Sequence, residues 1–225
     1  AWRGATTEFT KMEGQAHNLA DRKLYTVISY VRKGMIDGEN KDRPRDDIRL
    51  AGDAKDLTCG AVYESDLAGG QKDSEGNPIA SDWVAVDMRA IVHGARQPAG
   101  AKAGPFDKCD TEQVANPDNI RFSEAMRTLF IGEDSGNHLN NFLWAFNVDS
   151  KALVRIFSGP AGGENTGLSV YDDVNGRAYI TGNVQHPGAA EDLSGYPDEI
   201  KVALRRLVDQ RGIVGDFGGL PAMTR

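Results

Sequence analysis

Three carboxylates stand at equivalent places in a weak repeat, and they are the residues most able to do chemistry. Glu13 precedes the segment GQAHNLADRKLYTVIS, Asp118 precedes NIRFSEAMRTLFIG, and Glu164 precedes NTGLSVYDDVNGRAYITG. In each copy a polar pair opens an apolar run, a charged turn reverses it, and Leu-Tyr, Leu-Phe or Ala-Tyr starts the return. Taken singly, each acid reads as a turn cap, a common use of acidic side chains. Taken together, three carboxylates at the starts of repeated strands predict convergence, because the inner strands of a propeller begin around a shared axis. Converging carboxylates repel by several kcal/mol at low effective dielectric, roughly what Coulomb's law gives. A hard divalent cation relieves that repulsion, and Ca²⁺ takes oxygen ligands of this kind. Asn119 could add an amide oxygen. Lys11, two residues before Glu13, is placed to offset phosphate charge. His186, between Gln185 and Pro187, is a candidate to touch a phosphate or a metal through its imidazole.

The elements that must position these groups read as antiparallel hairpins. Apolar runs such as Leu129-Phe130-Ile131 and Leu153-Val154-Arg155-Ile156-Phe157 are short and bounded by Asp, Asn and Gly. The three copies fall at intervals compatible with a period of about 50 residues, as in propeller blades. At that period the chain supplies about four blades. Strands are also expected over Leu24–Tyr30, Cys59–Asp66 and Asp82–Asp87, with an edge strand or arm in residues 1–10. Residues 34–56 read as a solvated insertion, because Asp37, Glu39, Asp42 and Asp46 lack the spacing of a calcium loop. Asp198–Gln210 carries a helical apolar stripe, with acidic residues at its start and Gly212 beyond its end. The glycine-rich segment GPAGGENTG lacks a phosphate-loop lysine and reads as a connecting turn. The expected fold is all-β, a propeller with one C-terminal helix, in a single domain over residues 1–225.

Composition narrows the classes. The chain has 225 residues with 26 Gly and a formal net charge of −7, too glycine-rich for a helical bundle and too acidic for a phosphate-tracking surface. No nucleic-acid partner is therefore expected, and no apolar run is long enough for a membrane span. Neither a nucleophile elbow nor a zinc signature is present. The opening Ala1-Trp2-Arg3 reads as the product of processing or as part of a longer parent. Cys59 and Cys109 would pair in an exported protein and remain thiols in a cytosolic one. His17, His93 and His138 have no partner that the sequence identifies.

The segments GATTEFTKMEGQAHN, NPDNIRFSE with LFIGEDSG, GPAGGENTG and AYITGNVQHPG resemble the C-terminal half of the PhoX-type secreted alkaline phosphatases. The resemblance covers most of residues 4–36 and 114–188. It implies a six-bladed propeller, a mixed iron and calcium cluster in its central tunnel, and hydrolysis of phosphate monoesters in the periplasm or outside the cell. On that resemblance Glu13 corresponds to a calcium ligand, and Lys11 stands where an Arg contacts substrate phosphate. Asp118, Asn119 and Glu164 match later channel positions. Lysine lacks the bidentate grip of Arg. The family's N-terminal half, which holds its iron-binding cysteine, has no counterpart here. Fe³⁺ is thus expected only if another chain or fragment completes the ring. The competing expectation is a non-catalytic, calcium-stabilised propeller scaffold.

Overall fold

Short apolar runs separated by residues that tolerate left-handed backbone leave hairpins as the economical way to satisfy backbone hydrogen bonds. Asn175 and Gly176, with φ of 53° and 78°, form the tight turn of one such hairpin; Arg22 and Arg127 take the same region in two others. In the computed structural model, residues 9–31, 58–100, 107–188, 197–207 and 213–222 are described. Twelve strands and one helix follow in the order β1 (Met12–Asn18), β2 (Lys23–Ile28), β3 (Ala61–Ala68), β4 (Val84–Ala85), β5 (Arg89–His93), β6 (Pro117–Ser123), β7 (Thr128–Glu133), β8 (Phe142–Asn147), β9 (Leu153–Ser158), β10 (Glu164–Val174), β11 (Arg177–Gln185), α1 (Asp198–Leu207) and β12 (Ile213–Pro221).

They build three antiparallel sheets. The first runs β1-β2-β3-β4 with β5 also on β3, the second β6-β7-β8-β9, and the third β10-β11-β12. The hairpins β1-β2, β6-β7 and β10-β11 coincide with the three sequence repeats. Their opening strands are neighbours in space, β1 beside β6 and β6 beside β10. Two glycines permit the approach. A Cβ on Gly14 would stand 2.7 Å from the Asp118 carbonyl oxygen, and one on Gly132 would stand 2.3 Å from that of Asn165.

The second sheet is the middle layer, which explains why every residue of β7 is buried. Leu129 and Ile131 pack with Tyr25, Val27, Val62 and Trp144 toward the first sheet. Phe130 turns the other way, against Leu143, Leu168 and Ile180 toward the third. Each such side chain contributes about 1.5–3 kcal/mol by leaving water. Cys59 and Cys109 form a disulfide that spans 50 positions of sequence, deciding between the paired and free states that the sequence left open.

Several expectations shift. Length suggested about four blades at about 50 residues each; the described residues form three sheets, because the first collects strands from Met12 to His93. The strand expected at Cys59 begins at Ala61, since Gly60, with φ of 78°, turns the chain there. The helix spans Asp198–Leu207, and its expected last residues lie outside the described ones. So do the insertion at 34–56 and most of the arm at 1–10. Beyond the helix, β12 pairs with β11 as the edge of the third sheet. Among the described residues, no helix is long and apolar enough to cross a membrane.

Candidate functional site

A strand's opening residues project from the end of its sheet, so neighbouring opening strands bring Glu13, Asp118 and Glu164 to one end of the molecule. The lysine before β1 ties this end together. Lys11 Nζ lies 2.6 Å from Asp134 Oδ2, 3.6 Å from Asp118 Oδ2 and 3.9 Å from Glu13 Oε1. Glu164 joins the group beside Asp134, whose neighbouring carboxyl raises the Glu164 pKa. His186, following β11, places Nε2 2.8 Å from Glu164 Oε1. Glu13, Asp118 and Glu164, far apart in sequence, thus belong to one connected cluster with Lys11 and His186.

Asn119 sits differently from the expectation that it would offer its amide oxygen. Its Nδ2 donates to Asp118 Oδ1 at 2.6 Å, and its Oδ1 accepts from the Gly167 amide at 3.1 Å. It therefore orients Asp118 and fastens β6 to β10. Sequence reasoning missed Asp134, which closes β7 and receives the shortest contact from Lys11. Its position at the close of the β6-β7 hairpin, matched by His186 after β11, was the available signal.

The electrostatics reflect crowding. Burial, then the hydrogen bond and charge of Asp134, push the Glu164 carboxyl up to about 7, with His186 opposing. Burial and the neighbouring Glu13 charge raise Asp118 above the usual carboxylate range, against the pull of Lys11. Burial works against the charge of Lys11, but Asp134 and Asp118 outweigh it and raise the ammonium's pKa. Burial likewise opposes His186 protonation, and the charge and hydrogen bond of Glu164 reverse the balance. Lys11 and His186 also adopt left-handed backbone, with φ of 47° and 31°. Such strain persists only where surrounding structure enforces it, and it concentrates at functional sites.

A buried scaffold holds Asp134 in place. Glu133, its neighbour on β7, points inward and has no exposed side-chain surface. Its carboxylate accepts from the amides of Ala115 (2.8 Å) and Phe142 (2.9 Å) and from Trp144 Nε1 (2.7 Å). His138 Nδ1 lies 3.0 Å from Glu133 Oε2, while its Nε2 lies 3.2 Å from the Asp110 carbonyl oxygen. Both ring nitrogens face acceptors, the arrangement of an imidazolium. Asn116, fully buried with φ of 44°, donates to the carbonyls of Ser29 and Thr58 and accepts from Ser135 Oγ and Asn137 Nδ2. It links the first sheet to the segment that follows Asp134.

The donor set fits a hard cation by ligand type, since Glu13, Asp118, Asp134 and Glu164 offer carboxylate oxygens. Among the described residues, however, no three His, Cys, Asp or Glu side chains form a ready cation cage. Lys11 stands among three of the carboxylates, so a cation would have to displace its ammonium. Neither cysteine is available to iron, because both are in the disulfide. Comparison with protein-family models, with curated proteins and with solved structures finds no match to this chain.

Proposed function

We propose that the chain is a metal-dependent phosphomonoester hydrolase, or a portion of one, built on a propeller whose central carboxylates take Ca²⁺. The observation that carries this reading is the meeting of Glu13, Asp118 and Asp134 around Lys11, with the Glu164–His186 pair beside Asp134. Four carboxylates face one ammonium and one imidazole, so an anionic excess remains even with His186 protonated. The side-by-side opening strands β1, β6 and β10 support reading the sheets as successive blades. A second chain or fragment would complete the ring and supply any Fe³⁺ ligands. The disulfide supports a periplasmic or secreted location, where such bonds persist.

A bound cation would polarise a phosphoryl oxygen and make a water more acidic. Within the chain, Lys11 offsets charge on the phosphate once released from Asp134. The Glu164–His186 pair holds a proton near neutrality, and in this reading His186 passes that proton to the leaving oxygen. The substrate is a small phosphate ester. A second reading, a calcium-stabilised scaffold without turnover, is favoured by one feature: Lys11 already satisfies three carboxylates.

Hydrolysis of p-nitrophenyl phosphate with added Ca²⁺ tests the first reading. Activity should vanish with chelator and fall at least about 100-fold in Glu13→Gln, the scale for losing a group that acts on transition-state charge. No turnover, with a chelator-induced fall in melting temperature, would select the scaffold. Absence of Ca²⁺ binding by calorimetry would remove both.

A further inference from the structure

Residues 69–83 join β3 to β4 through a loop held by its own backbone bonds, among them the Ile79 amide donating to the Gln71 carbonyl at 2.9 Å. A connection this long usually serves a function. Its last residues set an indole at the surface, where Trp83 is 50% exposed. The Arg22 guanidinium, from the turn between β1 and β2, lies 4.9 Å from the ring centroid and also donates to the Asp82 carbonyl. One face of the indole is thereby covered, and the exposed half of the residue is the other. The clamp fixes the ring before any ligand arrives, which lowers the ordering cost of binding.

Trp83 lines an open concavity of about 500 Å³ together with Gly70, Ile79, Ala80, Ser81 and Asp82. Ile79, 36% exposed, extends the apolar surface of the indole. Ser81 Oγ accepts from the Trp83 amide at 3.1 Å, which leaves its O–H to donate outward. The Asp82 carboxylate rests on Gly69, where a Cβ would collide with it, and offers acceptors at the rim. Charge narrows the ligand's class. Arg22 behind the ring repels a cation on the open face, and Asp82 repels an anion, both within about one Debye length at physiological salt. A neutral ligand with donors for Asp82 remains. A pyranose with equatorial hydroxyls meets those terms, because its apolar, slightly positive C–H face matches the negative face of an indole while its hydroxyls point outward.

We propose that this concavity binds a neutral pyranose sugar, with its C–H face on Trp83 and its hydroxyls on Asp82 and Ser81. Arg22 follows the end of β1 opposite Glu13, so the site is separate from the carboxylates and does not depend on the phosphatase reading.

Cellobiose, choline and benzyl alcohol, a neutral sugar, a cation and a neutral arene, are the probes, titrated against the full chain by saturation-transfer NMR with the Trp83 indole N–H followed in parallel. Cellobiose should bind saturably, shift that indole signal and outcompete the other two. Trp83→Ala should abolish its binding while leaving the melting temperature unchanged, because the ring is half exposed. Asp82→Asn should weaken it about tenfold, the return on a hydrogen bond to a charged acceptor. Should Trp83→Ala fail to fold, the isosteric Asp82→Asn and the three probes on the unsubstituted chain still decide. No saturable binding of cellobiose, binding that survives Trp83→Ala, undiminished affinity in Asp82→Asn, or tighter binding of choline or benzyl alcohol would each overturn the proposal.

Discussion

At Glu133 a single carboxylate gathers two backbone amides, an indole and an imidazole in a fully buried setting. Its task is to hold the end of β7 so that the next residue, Asp134, meets Lys11. Removing one member leaves the other charge buried without its partner, so His138→Ala should lower unfolding stability by about 3–5 kcal/mol, read from urea denaturation. The pair also gives stability a pH dependence. Burial opposes His138 protonation, but Glu133 outweighs it and lifts the folded value above 6.5. The contribution is complete below 6.5 and is lost as pH rises through that lifted value. Glu164 acts in the same direction for a different reason. Its folded value of about 7 stands above the ordinary 4.5, so metal-free protein should lose stability as pH rises from 4.5 toward 7. Glu164→Gln should flatten that slope, and carbon-detected NMR in chelator should find the Glu164 carboxyl titrating near 7. Titration of that carboxyl near 4.5 would instead remove the crowding inferred for the cluster.

Among the elements, β7 and β10 approach each other closely at one glycine. Gly132 has to be bare because the Asn165 carbonyl occupies the space of a side chain. Gly132→Ala should destabilise by about 1–3 kcal/mol through overpacking. It should also weaken any Ca²⁺ binding by moving Glu164 away from Asp134, which calorimetry can follow. The hairpins themselves were legible from apolar runs and turn residues alone, and the Asn175-Gly176 turn fell where that dipeptide predicts it. The start of β3 was less legible. Cys59 looks like a strand opener, but Gly60 sits where a Cβ would stand 2.6 Å from the Ser29 carbonyl oxygen, a constraint set by another segment.

For the molecule as a whole, the disulfide closes the largest covalent loop among the described residues, joining positions 50 apart. In the chain-entropy view such a bridge is worth about 4 kcal/mol. Reduction should lower the unfolding free energy by about that amount, and the denaturation midpoint with it, while leaving the Lys11–Asp134 contact formed, because the cluster is held by β1, β6, β7 and β10. A reductant-insensitive midpoint would show that the segments joined by Cys59 and Cys109 are already ordered in the unfolded ensemble.

By itself the sequence determined the hairpins, the mostly β class, the helix and the placing of Glu13, Asp118 and Glu164 at strand openings. These follow from side-chain alternation and turn chemistry, which act over a few residues. Only the tertiary structure decided which hairpins lie side by side, that Asp134 completes the cluster, and that Asn119 braces β10 with its amide oxygen already engaged. It also decided that Glu133 and His138 bury their charges together. Those outcomes depend on contacts between segments tens of residues apart, where close approach at Gly14 and Gly132 and the orientation of adjacent strands set what each side chain meets.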